Sequence, residues 1–280
     1  MDGRDVAGLV AAHLPGYEVH TVGRLGAGQD NIAFEVNGEL VVRFGKDPDP
    51  DRVDREARLL AAVAAISPLP VPEPVFTAPA RGCLAYRKLP GRPLLEVPVG
   101  PAHTRAIAAA LGGLLAALHA APFHFVGTDN QPLAEWRREA AQCHAAVADR
   151  VPAIHRPAVA AFLETAPPDG GYGLAFTHND LGIEHVLIDP DTWTVTGVID
   201  WGDAAMADPA YDFGLIYRDL GPAALDAALH GYGIEVPGLR ERAVFYARCS
   251  VFEDLAYGIE TGHDRYVDKS VAALSWLFPA

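Results

Sequence analysis

Residues 176–212 read FTHNDLGIEHVLIDPDTWTVTGVIDWGDAAMADPAYD, and polar groups of catalytic type are packed there more densely than anywhere else in the chain. Residues 185–188 and 194–199 have the apolar character of two short strands, joined through the turn residues Asp189-Pro190-Asp191. Asp180 then stands just before the first strand and Asp200 just after the second, so the two carboxylates can share one cleft. A carboxylate that accepts a proton from an alcohol, with a second holding a divalent cation, is the minimum equipment for phosphoryl transfer from a nucleotide.

Upstream of this segment the first 90 residues read as a β-rich lobe. Residues 18–25, 32–36 and 39–44 are strand-like, and Asn37-Gly38 between the last two is the strongest short-range hairpin signal, because both central positions of a type I′ turn need positive φ. After the helix-start run DPDPD, Val53, Ala57, Leu60 and Ala64 recur at helical spacing. Glu56 falls on that apolar stripe, and a carboxylate there needs a cation. The proline-rich residues 67–75 cannot be helical. CLAYRKLPG then reads as a strand ending in a turn at Pro90-Gly91, which marks the boundary between a lobe of residues 1–90 and one of residues 91–280.

The second lobe has a helical pattern. Ile107, Leu111, Leu114, Leu115 and Leu118 form one stripe, and Gly112-Gly113 within it suggests close approach of another backbone. Further helices are expected near residues 133–148, 155–165, 210–230 and 239–260.

Composition narrows the function. Of 280 residues, 22 are Lys or Arg and 36 Asp or Glu, a net charge of −14 that repels nucleic acid and acidic membrane surfaces and attracts a polycationic small molecule. The three cysteines, Cys83, Cys143 and Cys249, lie far apart without a CxxC pair, and are read as reduced and buried. The N-terminus lacks the form of a secretory signal. The longest apolar stretch, about twelve residues from 107 to 118, is short of the ~20 that cross a bilayer. A soluble, cytoplasmic protein is expected, with neither nucleic acid nor membrane as partner.

At this point the sequence resembles the aminoglycoside phosphotransferase family, antibiotic kinases with a protein-kinase-like fold, and is most similar to the 2″-phosphotransferase branch. His178-Asn179-Asp180 matches the catalytic-loop H-x-D. Ile199-Asp200-Trp201-Gly202-Asp203 matches the metal-binding I-D-[FW]-G-D, and Asp208-Pro209 with Asp212-Phe213 continues the pattern. The resemblance implies an α+β, bilobal fold with a small β-rich N-lobe and a larger, mostly helical C-lobe. It implies that Asp180 orients the substrate hydroxyl, that Asp200 ligates magnesium, and that GTP or ATP donates the phosphate. His185 stands where the family usually has asparagine. It is read as a second metal ligand, as a hydrogen-bond partner of Asp180, or as a sign of lost activity, magnesium preferring oxygen donors.

By the same resemblance residues 25–31, with Gly26 and Gly28, look like the loop that covers the phosphates. Leu40-Val41-Val42-Arg43 takes the place of the kinase V-A-I-K strand, with Val41 and Arg43 on one face, Arg43 pairing with Glu56, and Lys46 as the competing phosphate contact. Tyr86-Arg87-Lys88-Leu89 resembles the hinge that binds the purine, with Tyr86 at the gatekeeper position, an aromatic that in the 2″ branch accompanies use of GTP.

An aminoglycoside carries several ammonium groups, so its site must be lined with carboxylates. Asp203, Asp219, Glu253 and Asp254 are the candidates taken first, Glu260 and Asp264 following, with Tyr257, Tyr266 and Trp276 as possible sugar-stacking rings. Phosphorylating a hydroxyl would spoil such a drug's fit to ribosomal RNA and confer resistance. Two alternatives stay open: a kinase of the same fold acting on a macrolide or on homoserine, choline or a fructosamine, and a catalytically weakened nucleotide-binding module.

Overall fold

The computed structural model describes residues 2–27, 31–123, 125–169 and 171–279. It divides into two compact units, Met1–Pro90 with Thr196–Gly202, and Gly91–Val195 with Asp203–Ala280.

The first unit is built on a five-stranded antiparallel sheet, β1 (Val22–Ala27), β2 (Asn31–Val36), β3 (Leu40–Gly45), β4 (Pro74–Ala78) and β5 (Cys83–Arg87), in the order β1-β2-β3-β5-β4. The Asn37-Gly38 hairpin forms with φ of 54° and 72° at its two residues, as the sequence predicts. The Asn37 amide also accepts from the His20 and Thr21 N–H groups at 2.8 and 3.0 Å and donates to the Glu18 carbonyl at 2.8 Å. Those side-chain bonds occupy the backbone of residues 18–21, which explains why β1 begins at Val22 and not at residue 18.

Period-2 alternation on β3 sets the two faces of this sheet. Leu40, Val42 and Phe44 join Phe34, Val36, Cys83 and Ala85 in a core closed by Val6 and Val10. The latter two belong to α1 (Gly3–His13), a helix that the sequence reading did not anticipate. Its start is set by a capping box, in which Asp2 accepts from the Arg4 and Asp5 N–H groups while Asp5 accepts from that of Asp2. Val41 and Arg43 take the opposite face, paired in register with Tyr86 and Leu84. Helix α2 (Pro50–Ala64), capped by Asp49, carries Glu56.

In the second unit α3 (Pro101–His119) crosses α7 (Pro222–Tyr232) at backbone contact. A Cβ on Gly112 would stand 2.0 Å from the Ala228 carbonyl oxygen, and one on Gly231 would stand 2.2 Å from that of Ala109. Gly112 therefore has the packing reason that its position suggested, whereas nothing lies within 4 Å of a Cβ on Gly113. Helices α4 (Leu133–Val147), α5 (Arg156–Glu164) and α8 (Leu239–Thr261) occur where the periodicity places them. The expected helix over 210–230 is two, α6 (Ala210–Leu220) and α7, because Gly221 adopts φ 82° and Pro222 cannot continue the α6 ladder. A further helix, α9 (Asp264–Leu277), was not foreseen. Phe176, Phe213, Phe252 and Phe278 are fully buried among these helices.

Short strands complete this unit. β6 (Arg92–Pro93) pairs with β8 (Val186–Ile188), and β7 (Ala175–Thr177) pairs antiparallel with β10 (Ala205–Ala207). After the Asp189 turn, β9 (Val195–Val198) carries the chain into the first unit. All three cysteines are free, and Cys143 is half-buried, not buried as expected. No helix among the described residues is long and apolar enough to cross a membrane.

Candidate active site

The catalytic-type residues fall into two groups, one in each unit. In the first unit, Arg43 on β3 is ion-paired with Glu56 of α2, and its Nη1 lies 3.7 Å from Asp200 Oδ1. Arg43 and Glu56 are largely buried while the Asp200 side chain is half exposed, so the carboxylate proposed for the cation is the one that reaches solvent. Asp200 sits just after β9 at φ 64°, a left-handed conformation that Asp tolerates better than most residues. Trp201 anchors that turn: its ring is buried and its Nε1 donates to the Val198 carbonyl at 2.9 Å. The Val198 N–H in turn donates to the Pro70 carbonyl, and Thr196 Oγ1 to that of Pro90.

Of the other nucleotide candidates, Tyr86 shares the Arg43 face of the sheet, and burial raises its phenol above the ordinary value with Arg43 opposing and Asp200 adding to the shift. Val41 is buried beside it, Arg87 is exposed and Leu89 half-buried. The Lys88 N–H, at the centre of the expected hinge, already donates to the Glu39 carbonyl at 2.8 Å, and the Lys88 ammonium pairs with Glu35. Gly26 lies on β1 beside a register irregularity between Arg24 and Gly26, and Gly28 lies outside the described residues. Lys46 is exposed in the turn that follows β3.

In the second unit the loop bearing Asp180 is held from below. Asp212, buried at the start of α6, accepts the His178 N–H at 2.9 Å and the Asn179 N–H at 3.0 Å, one on each carboxylate oxygen. Burial pushes the Asp212 carboxyl up to about 7, the backbone N–H groups of His178, Asn179 and Leu181 pulling the other way. Asn179 is left-handed at φ 64°, and its amide donates to Asp129 at 3.0 Å. The Asp180 N–H donates to His178 Nδ1 at 3.3 Å, so this nitrogen carries a lone pair.

His185 has a determined tautomer as well. Its Nδ1 lies 2.8 Å from the Asp180 carbonyl oxygen, which can only accept, so Nδ1 carries the proton, and the same nitrogen is 3.3 Å from Asp180 Oδ2. Among the described residues no group of three or more His, Cys, Asp or Glu side chains is arranged to hold a metal. The donor chemistry nevertheless fits magnesium at Asp200, since that ion is commonly held by one or two carboxylates with substrate phosphates and water completing its shell. A protonated Nδ1 turned toward Asp180 fits hydrogen bonding to that residue.

The four acceptor candidates separate sharply. Asp219 and Asp254 are buried and engaged: Arg218 Nε and Nη2 donate to Asp219 at 2.7 and 2.9 Å, and Lys269 Nζ lies 3.4 Å from Asp219 and 3.1 Å from Asp254. Burial alone would raise Asp219, but Arg218 and Lys269 hold it down at about 2. With their carboxylates spent on internal cations, these two do not offer a surface to a ligand.

Asp203 is exposed, and Glu253 reaches solvent in the wall of a cavity of about 260 Å³ between α4 and α8, lined with Trp136, Glu139, Cys143 and Ser250 among others. Burial raises the Glu253 carboxyl, with Arg218 opposing and Asp254 and Glu139 adding to the rise. The Ser250 hydroxyl is buried there, without a hydrogen-bond partner among the described residues. Tyr211 links this cavity to the loop that bears Asp180. Its ring lies 4.9 Å from that of Trp136, and its phenol, raised by burial, feels the charges of both Glu253 and Asp180.

Three residues that matter here carried no local signal. Glu139 and Lys269 look like ordinary helix charges, and Trp136 like a core aromatic. Asp212 is different: it was visible as part of the D-F pair, but its task of holding the loop shows only once the fold brings residues 178 and 212 together.

An antiparallel sheet followed by a helical part, with an H-x-D loop and an I-D-[FW]-G-D turn, defines the class of kinase-like phosphotransferases. The model of the phosphotransferase enzyme family known as APH matches residues 21–245, and the chain belongs to that family. Over its whole length the fold is similar to that of APH(2″)-IIIa solved with GDP and kanamycin, with a TM-score of 0.70 at 22% identity, covering 97% of each chain. It is also similar to the macrolide 2′-phosphotransferase MphH from Brachybacterium faecium, with a TM-score of 0.65 at 26% identity, covering 96% of this chain and 97% of that one. An aminoglycoside 3′-phosphotransferase of Streptomyces fradiae is 38% identical over 81 residues, a match spanning 26% of this chain and 30% of that relative.

Proposed function

We propose that this protein transfers the γ-phosphate of GTP or ATP to a hydroxyl of an aminoglycoside. The observation that carries the reading is the fixing of Asp180: a loop whose N–H groups end on a buried carboxylate, and whose following carbonyl and carboxylate are met by His185, holds an acid in one place to receive a hydroxyl. Positioning of this kind supplies most of the rate in phosphoryl transfer.

In this reading Asp180 accepts a hydrogen bond from the acceptor hydroxyl, aims the hydroxyl oxygen at the γ-phosphorus, and takes up the hydroxyl proton as the new bond to phosphorus forms and the bond to the departing nucleoside diphosphate breaks. His185 orients Asp180 through its protonated Nδ1. Asp200 would hold magnesium, which when bound neutralises charge on the phosphates. Arg43, kept in place by Glu56, binds phosphate oxygens through its fork of donors. Glu253 and Glu139 bind ammonium groups of the acceptor, Trp136 offers a face to a sugar ring, and Asp203 is the remaining exposed acid. Asp219 and Asp254 act on the protein instead, for the reason given by their burial.

The macrolide kinase among the similar folds favours a second reading, in which the acceptor carries a single amine and Glu139 and Glu253 are dispensable. Nucleotide consumption measured against a panel of aminoglycosides, macrolides and small hydroxyl metabolites separates the two. Turnover with an aminoglycoside is expected, falling by about 10²–10⁴-fold in Asp180→Asn with nucleotide binding retained. Turnover with macrolides alone, or nucleotide binding without transfer to any acceptor, overturns the proposal.

A further inference from the structure

The stretch from Asp180 to His185 is gripped at its middle by buried charges that no step of the reaction uses. The Ile183 N–H donates to Asp219 Oδ2 at 3.2 Å, and the neighbouring Glu184 carboxylate accepts from Lys269 Nζ at 2.9 Å. Both gripping groups are themselves fixed. Asp219 is held by the paired Arg218 donors and by Lys269, and Lys269 by Asp254, which also accepts from Ser270 Oγ at 3.0 Å. Three helices, α6, α8 and α9, thus contribute to one network that ends on the loop.

Two features argue that the network exists for the loop and not for helix packing. Removing ionised groups from water is costly enough that well-packed apolar side chains commonly serve stability as well or better, and these helices already bury Phe213, Phe252, Leu255 and Leu274. The loop also leaves room for the contact: a Cβ on Gly182 would stand 2.5 Å from Glu184 Oε1, so a larger residue there would make the Glu184 carboxylate shift from its place beside Lys269.

We propose that Lys269 and Asp219 are positioning residues that fix the backbone of residues 180–185, so that Asp180 and His185 are presented in one arrangement. The inference rests on the phosphotransfer reading for its kinetic consequence, though not for its structural one. Lys269→Met keeps the length of the side chain and removes its charge. It is expected to lower kcat by about 10²-fold, the cost of a misplaced reacting group, while KM for the nucleotide stays within about threefold. Lys269→Arg is expected to recover most of the loss, which a volume effect would not produce. Amide hydrogen exchange in peptides covering residues 181–186 should quicken at least about tenfold in Lys269→Met, with peptides of α3 and α7 unchanged.

Should Lys269→Met not fold, Glu184→Gln and Gly182→Ala act from the loop side and leave the helices intact, with the same kinetic and exchange criteria. A folded variant with kcat within threefold of wild type and unchanged exchange overturns the proposal. If wild type itself transfers phosphate to no acceptor, the phosphotransfer reading fails, and the exchange measurement alone decides this one.

Discussion

Arg43 stands between two carboxylates, ion-paired with Glu56 on one side and 3.7 Å from Asp200 on the other. In the proposed reading such a guanidinium would serve as a phosphate ligand but could also compete with magnesium for Asp200, and the ion pair with Glu56 would draw it away from Asp200. Glu56→Gln removes that pull. Arg43 is then expected to close on Asp200 and raise the magnesium concentration for half-maximal turnover by about tenfold, the worth of one charge-assisted hydrogen bond, ~1.5 kcal/mol. A magnesium titration of turnover at saturating nucleotide checks it; an unchanged midpoint refutes the competition.

The neighbouring glycines of α3 provide a matched pair. Gly112 meets the Ala228 carbonyl, a backbone atom that cannot swing aside, whereas Gly113 faces open space. Gly112→Ala is expected to destabilise by ~3 kcal/mol, at the upper end of overpacking, and Gly113→Ala to stabilise by ~0.5–1 kcal/mol through lower chain entropy. Thermal or denaturant unfolding of the two variants should move in opposite directions. Equal effects would mean that α3 and α7 yield at their crossing.

That contrast illustrates what the chain discloses about itself. The Asn37-Gly38 hairpin, the α3 stripe and the H-x-D and I-D-[FW]-G-D segments were legible because each is set by residues within a few positions of one another. The helix break at Gly221-Pro222 was equally local and could have been read. The fate of Asp219 and Asp254 could not: Lys269, which meets both, lies 50 positions from Asp219, and on a helix a buried acid is spelled like a solvated one. Asp212 stood in a recognised motif, but its partners are the amides of His178 and Asn179, 34 and 33 positions away.

Tyr86 bears on the choice of donor. It lies opposite Val41 in the sheet, on the face that carries Arg43, and in the proposed nucleotide site its bulk would narrow the space for a base. GTP is expected to serve at least as well as ATP, and Tyr86→Met to shift the ratio of kcat/KM values toward ATP. Parallel assays with the two nucleotides test this, and a clear ATP preference in the wild type removes Tyr86 as a selector for guanine.

If Glu253 lines the acceptor site as proposed, that site has a pH dependence of determinate sign. Partial desolvation raises the Glu253 carboxyl above the ordinary value, so in the free protein it holds its proton to a higher pH than an ordinary glutamate does. An ammonium group favours the ionised form, and binding must therefore release that proton. Aminoglycoside affinity is expected to weaken as pH falls through the raised Glu253 value, and proton release, measured by calorimetry in buffers of different ionisation enthalpy, to grow over the same interval. Glu253→Gln should abolish the release and flatten the profile, at a cost of about 10-fold or more in affinity from the lost charge-assisted bond. Retention of both the profile and the affinity in Glu253→Gln would remove the α4–α8 cavity from the acceptor site.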